Sequence, residues 1–446
     1  MNERELILQI LLEAEKTGSF TGVILNQVLD KYDYLEPSEK RRIKRTVNGV
    51  TERQIELDYR LGLYSKTPVR KMKPLIRCLL RMSTYQILYM DKASDFAVCN
   101  EAVKLAKSHK FSQLSGFVNG VLRSIVREKD TISYPSEEKE PMRALSIRSS
   151  IPEEVLQLWK DAYGMEKTKQ MATEQLESRP LSFRMKLSLE KEEKDALLEK
   201  MKAEGIQVTP HPYLPYAYLA EGMDKVTEIP GFAEGLITIQ DVSSMLPAAY
   251  AGIRSGDLVV DLCAAPGGKS LMAAELTGPE GMVYARDLTP EKIGKIEENA
   301  ARMGLTNINT RVWDARIPDP DLAGKADVVL ADLPCSGLGV LNRKPEIKYH
   351  VTKESIRELV QLQQEILRMG VSCLKPGGKL LYSTCTVNPF ENDEQADFIQ
   401  NELGLTPICF SSDRPDDAAL SRLQIFPGEA GDRANMDGFF LALFQK

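Results

Sequence analysis

Two cysteines stand where the edge of a sheet would present them. Cys385 lies in Leu381-Tyr382-Ser383-Thr384-Cys385-Thr386-Val387-Asn388-Pro389, and Cys335 lies in Val328-Val329-Leu330-Ala331-Asp332-Leu333-Pro334-Cys335-Ser336-Gly337. In each stretch an apolar run of strand character ends just before the cysteine. Most buried cysteines act as small hydrophobes. That reading serves for Cys78, Cys99, Cys373 and Cys409, which sit among apolar neighbours without a motif. Cys335 and Cys385 are different. A thiolate there could add to C6 of a pyrimidine, and C5, unreactive until then, becomes an enamine carbon able to attack a sulfonium methyl group. A free thiol titrates near pH ~8.5, so such a site must favour the thiolate. Asp332, three residues before Cys335, is placed to support the charge that develops at N3 during the addition. A base must later remove the C5 proton so that the sulfur can leave.

A methyl donor needs its own cradle. The stretch Val259-Val260-Asp261-Leu262-Cys263-Ala264-Ala265-Pro266-Gly267-Gly268-Lys269-Ser270 reads as strand, terminal acid, glycine-containing loop, then a helix from about Ser270 to Leu276. An α/β fold builds a cofactor pocket this way, at the carboxyl edge of its first strand. Gly267 and Gly268 let the backbone approach a ligand. The loop has neither the dinucleotide Gly-x-Gly-x-x-Gly nor the phosphate-binding Gly-x-x-x-x-Gly-Lys-Ser/Thr. S-adenosylmethionine, whose charge is a sulfonium and not a phosphate, suits it. Cys263 matches no catalytic role and is expected to offer backbone contacts only. Four acids, Asp261, Asp287, Asp314 and Asp332, each end a strand signal or follow one. Asp287 is placed to accept from both ribose hydroxyls, and Asp314 from the adenine amino group. A single such aspartate is ordinarily a turn or cap residue; four in strand order favour a cofactor edge.

For these loops to meet, their strands must share a sheet. Strand signals at Leu258–Asp261, Met282–Arg286, Thr310–Trp313, Ala326–Ala331 and Lys379–Ser383 alternate with helical segments. That spacing predicts βαβ units and a parallel, doubly wound α/β domain over residues 235–446. The apolar Gly438–Phe444, after a turn following Phe426, is expected to join it antiparallel. Residues 151–234 read as a helix near Pro152–Tyr163 and then a small α+β module. Its strand is Leu181–Leu189, its charged helix Glu190–Glu204, and extended chain returns at Ile206–Thr209 and Tyr213–Leu219. Tyr213, Tyr216 and Tyr218 could stack on bases, although such tyrosines more often form the half-buried face of a strand. Residues 131–150, rich in Ser, Glu and Lys with Pro135 and Pro141, read as a linker. Residues 1–130 are expected to be all-helical: Leu6, Ile7, Ile10 and Leu11 recur at helical spacing, as do Leu75, Leu79, Met82 and Ile87. Pro74 suits a first turn.

The 446 residues are 43% apolar and 27% charged, which fits a soluble protein of two or three domains. No run of 18 apolar residues occurs, so no membrane span is expected. The first residues lack the layout of a signal peptide, and a cytoplasmic monomer is expected. Seven cysteines and three histidines, with no Cys-x-x-Cys, point to free thiols and to no metal site. The net charge of −6 conceals an asymmetry. Residues 1–130 hold 23 Lys/Arg against 16 Asp/Glu, and Tyr59–Met90 holds seven cations (Arg60, Lys66, Arg70, Lys71, Lys73, Arg77, Arg81) with no acid. Lys40-Arg41-Arg42-Ile43-Lys44-Arg45 is a second cluster. One cluster is usually a solvated helix face; two on one small domain suggest a polyanionic partner. Arg77 and Arg81, one turn apart, are its expected contacts.

Together, Asp-Leu-Cys-Ala-Ala-Pro-Gly-Gly-Lys at 261–269, Asp-x-Pro-Cys-Ser-Gly at 332–337 and Ser-Thr-Cys-Thr-x-Asn-Pro at 383–389 resemble the Nol1/Nop2/Sun family of RNA cytosine-C5 methyltransferases. Residues 95–103 and 116–123 resemble the NusB-type RNA-binding helical domain. The resemblance covers essentially the whole chain. It implies a Rossmann-like S-adenosylmethionine-dependent methyltransferase domain behind a NusB-like domain and the α+β module, acting on small-subunit ribosomal RNA. It assigns the nucleophile to Cys385, release of the methylated base to Cys335, and cofactor contacts to Cys263, Ala264, Ala265, Pro266, Gly267, Gly268, Lys269, Asp287, Asp314 and Asp332. It also suggests RNA contacts at Arg343 and Lys344. Departures are few: Leu333 replaces a common Ala, Asn342 the first of a basic pair, and Phe390 a common acid. A tRNA substrate, or an RNA-binding assembly factor without activity, are the alternatives. Loss of Cys385 or of the Asp332-x-Pro-Cys335 motif would favour the latter, and neither is lost.

Overall fold

A computed structural model describes residues 2–32, 34–90, 94–223 and 225–446. The expected helical domain also includes Met1, Asp33 and residues 91–93, which lie outside the described residues. The chain forms two units. One comprises Met1–Leu176 with Asn342–His350, the other Glu177–Leu341 with Val351–Lys446. No helix among the described residues is long and apolar enough to cross a membrane.

The first unit is helical. Glu3–Thr17, Thr21–Lys31, Pro37–Glu52, Gln54–Tyr64, Pro74–Tyr89, Asp95–Ser108 and Ser115–Glu128 are its first seven helices. Their apolar faces (Leu6, Ile10, Ile43, Leu57, Leu79, Val118 and Leu122 among them) close one core. The stretch 131–150, expected as a linker, is instead part of this unit. Tyr134 donates its hydroxyl to the buried carboxylate of Glu56 at 2.8 Å and accepts from Arg60 at 2.7 Å. Glu56 also accepts from Arg53 and from the Tyr89 hydroxyl. Burial opposes the charge of Glu56, but these donors outweigh it and hold its pKa below the ordinary carboxylate range. A buried acid this well satisfied is tied in place. The helix Pro141–Ser149 then buries Ala144 and Ile147, which the polar composition of the stretch had hidden. The expected helix near Pro152–Tyr163 starts at Glu153 and breaks at Gly164 (φ 79°), beyond which a second helical stretch continues to Glu174.

Residues 342–350 complete this unit as a strap. Its short turn Pro345–Tyr349 is held by charge at both ends. Glu346 accepts from the backbone N–H groups of Thr21 and Gly22, at the N-terminus of the helix Thr21–Lys31. Lys348 donates to the carbonyl of Glu52, at the C-terminus of the helix Pro37–Glu52, at 2.8 Å. An anion at a helix N-terminus and a cation at a helix C-terminus both match the helix dipole. Lys348 is buried, and desolvation pulls its pKa down to about 7.

The second unit holds two sheets. The smaller is antiparallel, in the order β2-β3-β1-β4, from β1 (Leu181–Met185), β2 (Gln207–Pro210), β3 (Ala217–Glu221) and β4 (Ile237–Ile239). The helix Lys191–Ala203 joins β1 to β2 and packs Leu197 and Met201 against the sheet. Tyr218 stacks on Phe183 at 5.5 Å, and the Tyr213 hydroxyl donates to the buried Asp417. These tyrosines are core, not base-stacking surface.

The larger sheet comprises β5 (Leu258–Asp261), β6 (Met282–Asp287), β7 (Ile308–Val312), β8 (Ala326–Asp332), β9 (Leu374–Thr384), β10 (Thr406–Pro407), β11 (Arg422–Ile425) and β12 (Phe439–Gln445). Its order is β10-β12-β9-β8-β5-β6-β7, with β11 also on β12. The strands β9-β8-β5-β6-β7 run parallel; β12 is antiparallel to β9. Successive side chains face opposite layers. Val259, Leu330, Leu381 and Leu441 enter the core beneath the helices Val242–Tyr250 and Gly268–Thr277. Val260, Val329, Tyr382 and Phe440 enter the one beneath Lys353–Cys373 and Asp393–Asn401. Burial on both faces explains why these strands read as continuous apolar runs.

The strap yields a first prediction. Glu346→Ala leaves two N-terminal N–H groups without an acceptor and should lower unfolding stability by about 1 kcal/mol. Calorimetry on the full chain showing an unchanged transition would contradict the capping role.

Candidate active site

The order of the large sheet reverses at β5, where β6 lies on one side and β8 on the other. Ligands bind beyond the carboxyl ends of strands at such a point. Asp261 pairs in register with Ala285 of β6 and Leu330 of β8. Asp287 and Asp332 each lie two residues further along, flanking the loop that leaves β5.

That loop is tightly held. Asp287 accepts from the backbone N–H of Ala265 at 2.9 Å and of Leu288 at 2.7 Å, and from Lys292 at 2.9 Å. Gly267 sits at φ 112°, a conformation open to glycine, and is followed by the helix Gly268–Thr277. Asp261 is fully buried; one oxygen accepts from the Ser270 hydroxyl at 2.6 Å, while the other has no hydrogen-bond partner among the described residues. Burial pushes its pKa up to about 6. A glycine-containing cradle with a buried acceptor unused among the described residues fits S-adenosylmethionine. Asp314 lies two residues beyond β7 and is engaged by Arg316 through its backbone N–H and guanidinium, which holds its pKa low. The Cys263 thiol is pushed upward by burial and by the surrounding carboxylates, in keeping with a role through backbone alone.

The chemistry-bearing pair comes from β8 and β9. Asp332 pairs with Ser383 in parallel register, so the loops after both strands leave side by side. The Sγ atoms of Cys335 and Cys385 lie 3.4 Å apart. The bond to Cys385, with burial, raises the Cys335 pKa well above the ordinary thiol value. The contact itself does not set which sulfur donates; it brings the two thiols of the adjoining loops into direct reach of each other. Beside them Asp332 takes an ion pair from Lys269 at 2.6 Å and a hydrogen bond from the Ser383 hydroxyl at 2.8 Å. Burial opposes the charge on Lys269, but Asp332 overcomes it and raises the pKa. The ammonium also donates to the Ser244 hydroxyl at 2.9 Å. The loop glycines, Asp287, Lys269, Asp332 and both cysteines thus share one sheet edge.

Two residues of this site escape motif reading. Glu391 is fully buried and accepts from the backbone N–H of Ser336 at 2.7 Å, the Ser336 hydroxyl, Gln363 and Asn388 at 2.6 Å. It ties the turn after Cys335 to the turn after Cys385. Gly339 donates its N–H to the Cys385 carbonyl at 3.1 Å and accepts from Gly438 at 2.9 Å. A Cβ there would stand 2.0 Å from the Gly438 carbonyl oxygen. A glycine among several, and an acid in a polar run, give no sequence signal; the pairing of distant segments reveals both.

The expected RNA contacts fare differently. Arg77 is bound to Glu15 and to the carbonyls of Val69, Arg70 and Met72. Arg81 is bound to Asp58 through two bonds of 2.7 Å. Both guanidinium groups are consumed by internal partners, which corrects their assignment as phosphate contacts. Arg343 and Lys344 lie on the strap, both exposed.

Comparison with known proteins follows the same division. Residues 250–445 match the family model of the 16S rRNA methyltransferase RsmB/F, and residues 1–127 match that of the NusB family. The probable ribosomal RNA small subunit methyltransferase B of Bacillus subtilis is 36% identical, covering 99% of this chain and 98% of its own. The chain belongs to the RsmB/F family. A probable ribosomal RNA small subunit methyltransferase B of Synechocystis is 31% identical over the full length of both chains. A methyltransferase homologue from Pyrococcus horikoshii, solved by crystallography, aligns with a TM-score of 0.56 at 25% identity, covering 69% of this chain and 99% of its own. The RsmB/F match spans β5 to β12 and both cysteine loops, and leaves the small antiparallel sheet outside it.

Two predictions arise. The buried charge of Asp261 costs nothing below about pH 4, where folded and unfolded states both hold the proton. It costs stability increasingly up to about pH 6, on the order of 3 kcal/mol at most. Asp261→Asn should therefore gain in melting temperature relative to the wild type as pH rises through that window; a difference independent of pH would contradict the buried-acid assignment. Gly339→Ala should cut methyl transfer at least roughly tenfold, because it displaces the Cys385 backbone. Undiminished turnover would show that the close approach is not needed.

Proposed function

We propose that this RsmB/F methyltransferase modifies C5 of a cytosine in 16S rRNA through a covalent bond between Cys385 and C6. The single observation that carries the reading is the pair of sulfurs 3.4 Å apart, beside the Lys269–Asp332 ion pair. The Cys385 thiolate adds to C6. Lys269 and Asp332 together place a proton and a charge beside N3 as the ring becomes electron-rich. Gly267, Gly268, Asp287 and Asp314 would hold S-adenosylmethionine, which supplies an electrophilic methyl group for C5. Cys335 serves the release step, in which a base takes the C5 proton, the C5–C6 double bond re-forms and Cys385 departs as a thiolate. Glu391 positions both cysteine loops and touches no reacting atom. The helical unit serves to dock the RNA, and the protein acts as a cytoplasmic monomer.

Cys385→Ala should abolish methylation while leaving S-adenosylmethionine binding unchanged by calorimetry. Cys335→Ala should let a covalent protein–RNA adduct accumulate, seen as a band that survives denaturing electrophoresis. Turnover retained in the first variant, or no adduct in the second, would refute the assigned roles.

A further inference from the structure

Six arginines of residues 1–130 are not available to a partner. Arg42 is paired with Glu3, Arg45 donates to the Tyr89 carbonyl, Arg53 and Arg60 serve Glu56, and Arg77 and Arg81 serve Glu15 and Asp58. Of the cations that are exposed and outside these pairings, the densest group lies in one short segment, whereas Lys16, Lys31, Lys44, Lys107 and Lys110 are scattered. Lys66, Arg70, Lys71 and Lys73 lie within eight residues, and all four are exposed. None of the four side chains has an ion-pair or hydrogen-bond partner among the described residues. No acid interrupts the sequence from Tyr59 to Met90.

This segment is also held in a fixed shape. Pro68 and Pro74 bracket it, the turn Val69–Lys71 bends it, and the Ser65 hydroxyl bridges to Thr67. Arg77 donates from one nitrogen to the carbonyls of Val69, Arg70 and Met72, at 3.3, 3.1 and 3.2 Å. A guanidinium neutralised by Glu15 is therefore the staple that fixes the ribbon's carbonyls inward and leaves its side chains outward. Arg70 also lines a cleft of about 430 Å³ shared with Ser19, Thr21 and His350. Inside that cleft Glu15 and Asp58 pair with Arg77 and Arg81, and Glu346 is taken up by the backbone N–H groups of Thr21 and Gly22. Four cations with unpaired side chains on a short, braced segment suit the repeated charge of a nucleic-acid backbone, which is bound through release of its counterions. A fixed ribbon loses little conformational freedom on binding.

We infer that Lys66, Arg70, Lys71 and Lys73 form the surface on which the helical unit docks the phosphate backbone of ribosomal RNA, with Arg77 as its positioning residue. The inference rests on the proposed function above and names the surface that function lacks. The test uses the full chain and 16S rRNA transcribed in vitro. In one variant Lys66, Arg70, Lys71 and Lys73 become Gln; in a control of equal charge change Lys104, Lys107, Lys110 and Arg123 become Gln. RNA affinity is measured across a salt series, alongside S-adenosylmethionine binding, melting temperature and methylation. The ribbon variant should bind roughly tenfold more weakly at 0.15 M salt, with the slope of log affinity against log salt reduced by about 3. The control should change less, and cofactor binding and melting temperature should hold in both. Wild-type affinity and slope in the ribbon variant would overturn the inference and leave the methyltransferase reading standing. Equal losses in both variants would reduce the effect to overall charge and overturn it too. A loss confined to the assembled small subunit, with naked RNA bound normally, would point to an acidic protein partner instead. A wild-type protein that neither binds nor methylates the RNA would remove the proposed function itself.

Discussion

The parallel register of β8 on β9 is the constraint on which the site depends. With Asp332 opposite Ser383, two loops from segments fifty residues apart leave the sheet side by side, and their sulfurs come within 3.4 Å. A slip of one residue would send Asp332 and Ser383 to opposite faces of the sheet and separate the Asp332 carboxylate from the serine hydroxyl. The register is fixed by burial on both faces: Val329, Leu330, Leu380, Leu381 and Tyr382 all lie in closed cores. A position that must be apolar on both faces cannot be traded between them cheaply.

Given that register, electrostatics divides the labour. Three cysteines lie on the carboxyl edge, and two of them, Cys263 and Cys335, are driven toward the neutral thiol by burial and by neighbouring anions or sulfur. A single cation, Lys269, is placed among Asp332, Ser244 and the buried Asp261. Under the proposed mechanism one sulfur of the pair is the nucleophile and the other assists release. Glu391 and Gly339 set the distances, one by bonding both turns, the other by permitting backbone to meet backbone.

How much of this the sequence disclosed depends on the range of the interaction. The five parallel strands, the antiparallel last strand and the four acids at strand ends were legible because each is written in a local apolar run followed by a polar residue. The cysteine loops were legible as motifs. Glu391 was not, since its partners Ser336, Gln363 and Asn388 come from three segments. The stretch 131–150 looked like a linker because its composition is polar; one phenol, Tyr134, finding a buried carboxylate changes its fate. Arg77 and Arg81 looked like surface cations because sequence shows charge and not the acid that consumes it. In the segment 342–350 the sequence marked only Arg343 and Lys344, as RNA contacts, whereas Glu346 and Lys348 face helix ends.

The division between the two sulfurs can be examined without altering either of them. RNA carrying 5-fluorocytidine at the target presents a C5 substituent that cannot leave as a proton, so the wild-type protein should stall as a covalent complex. Digestion and mass spectrometry then locate the attached nucleotide. Attachment at Cys385 is the predicted result; attachment at Cys335, or a methylated product with no covalent complex, would contradict the mechanism.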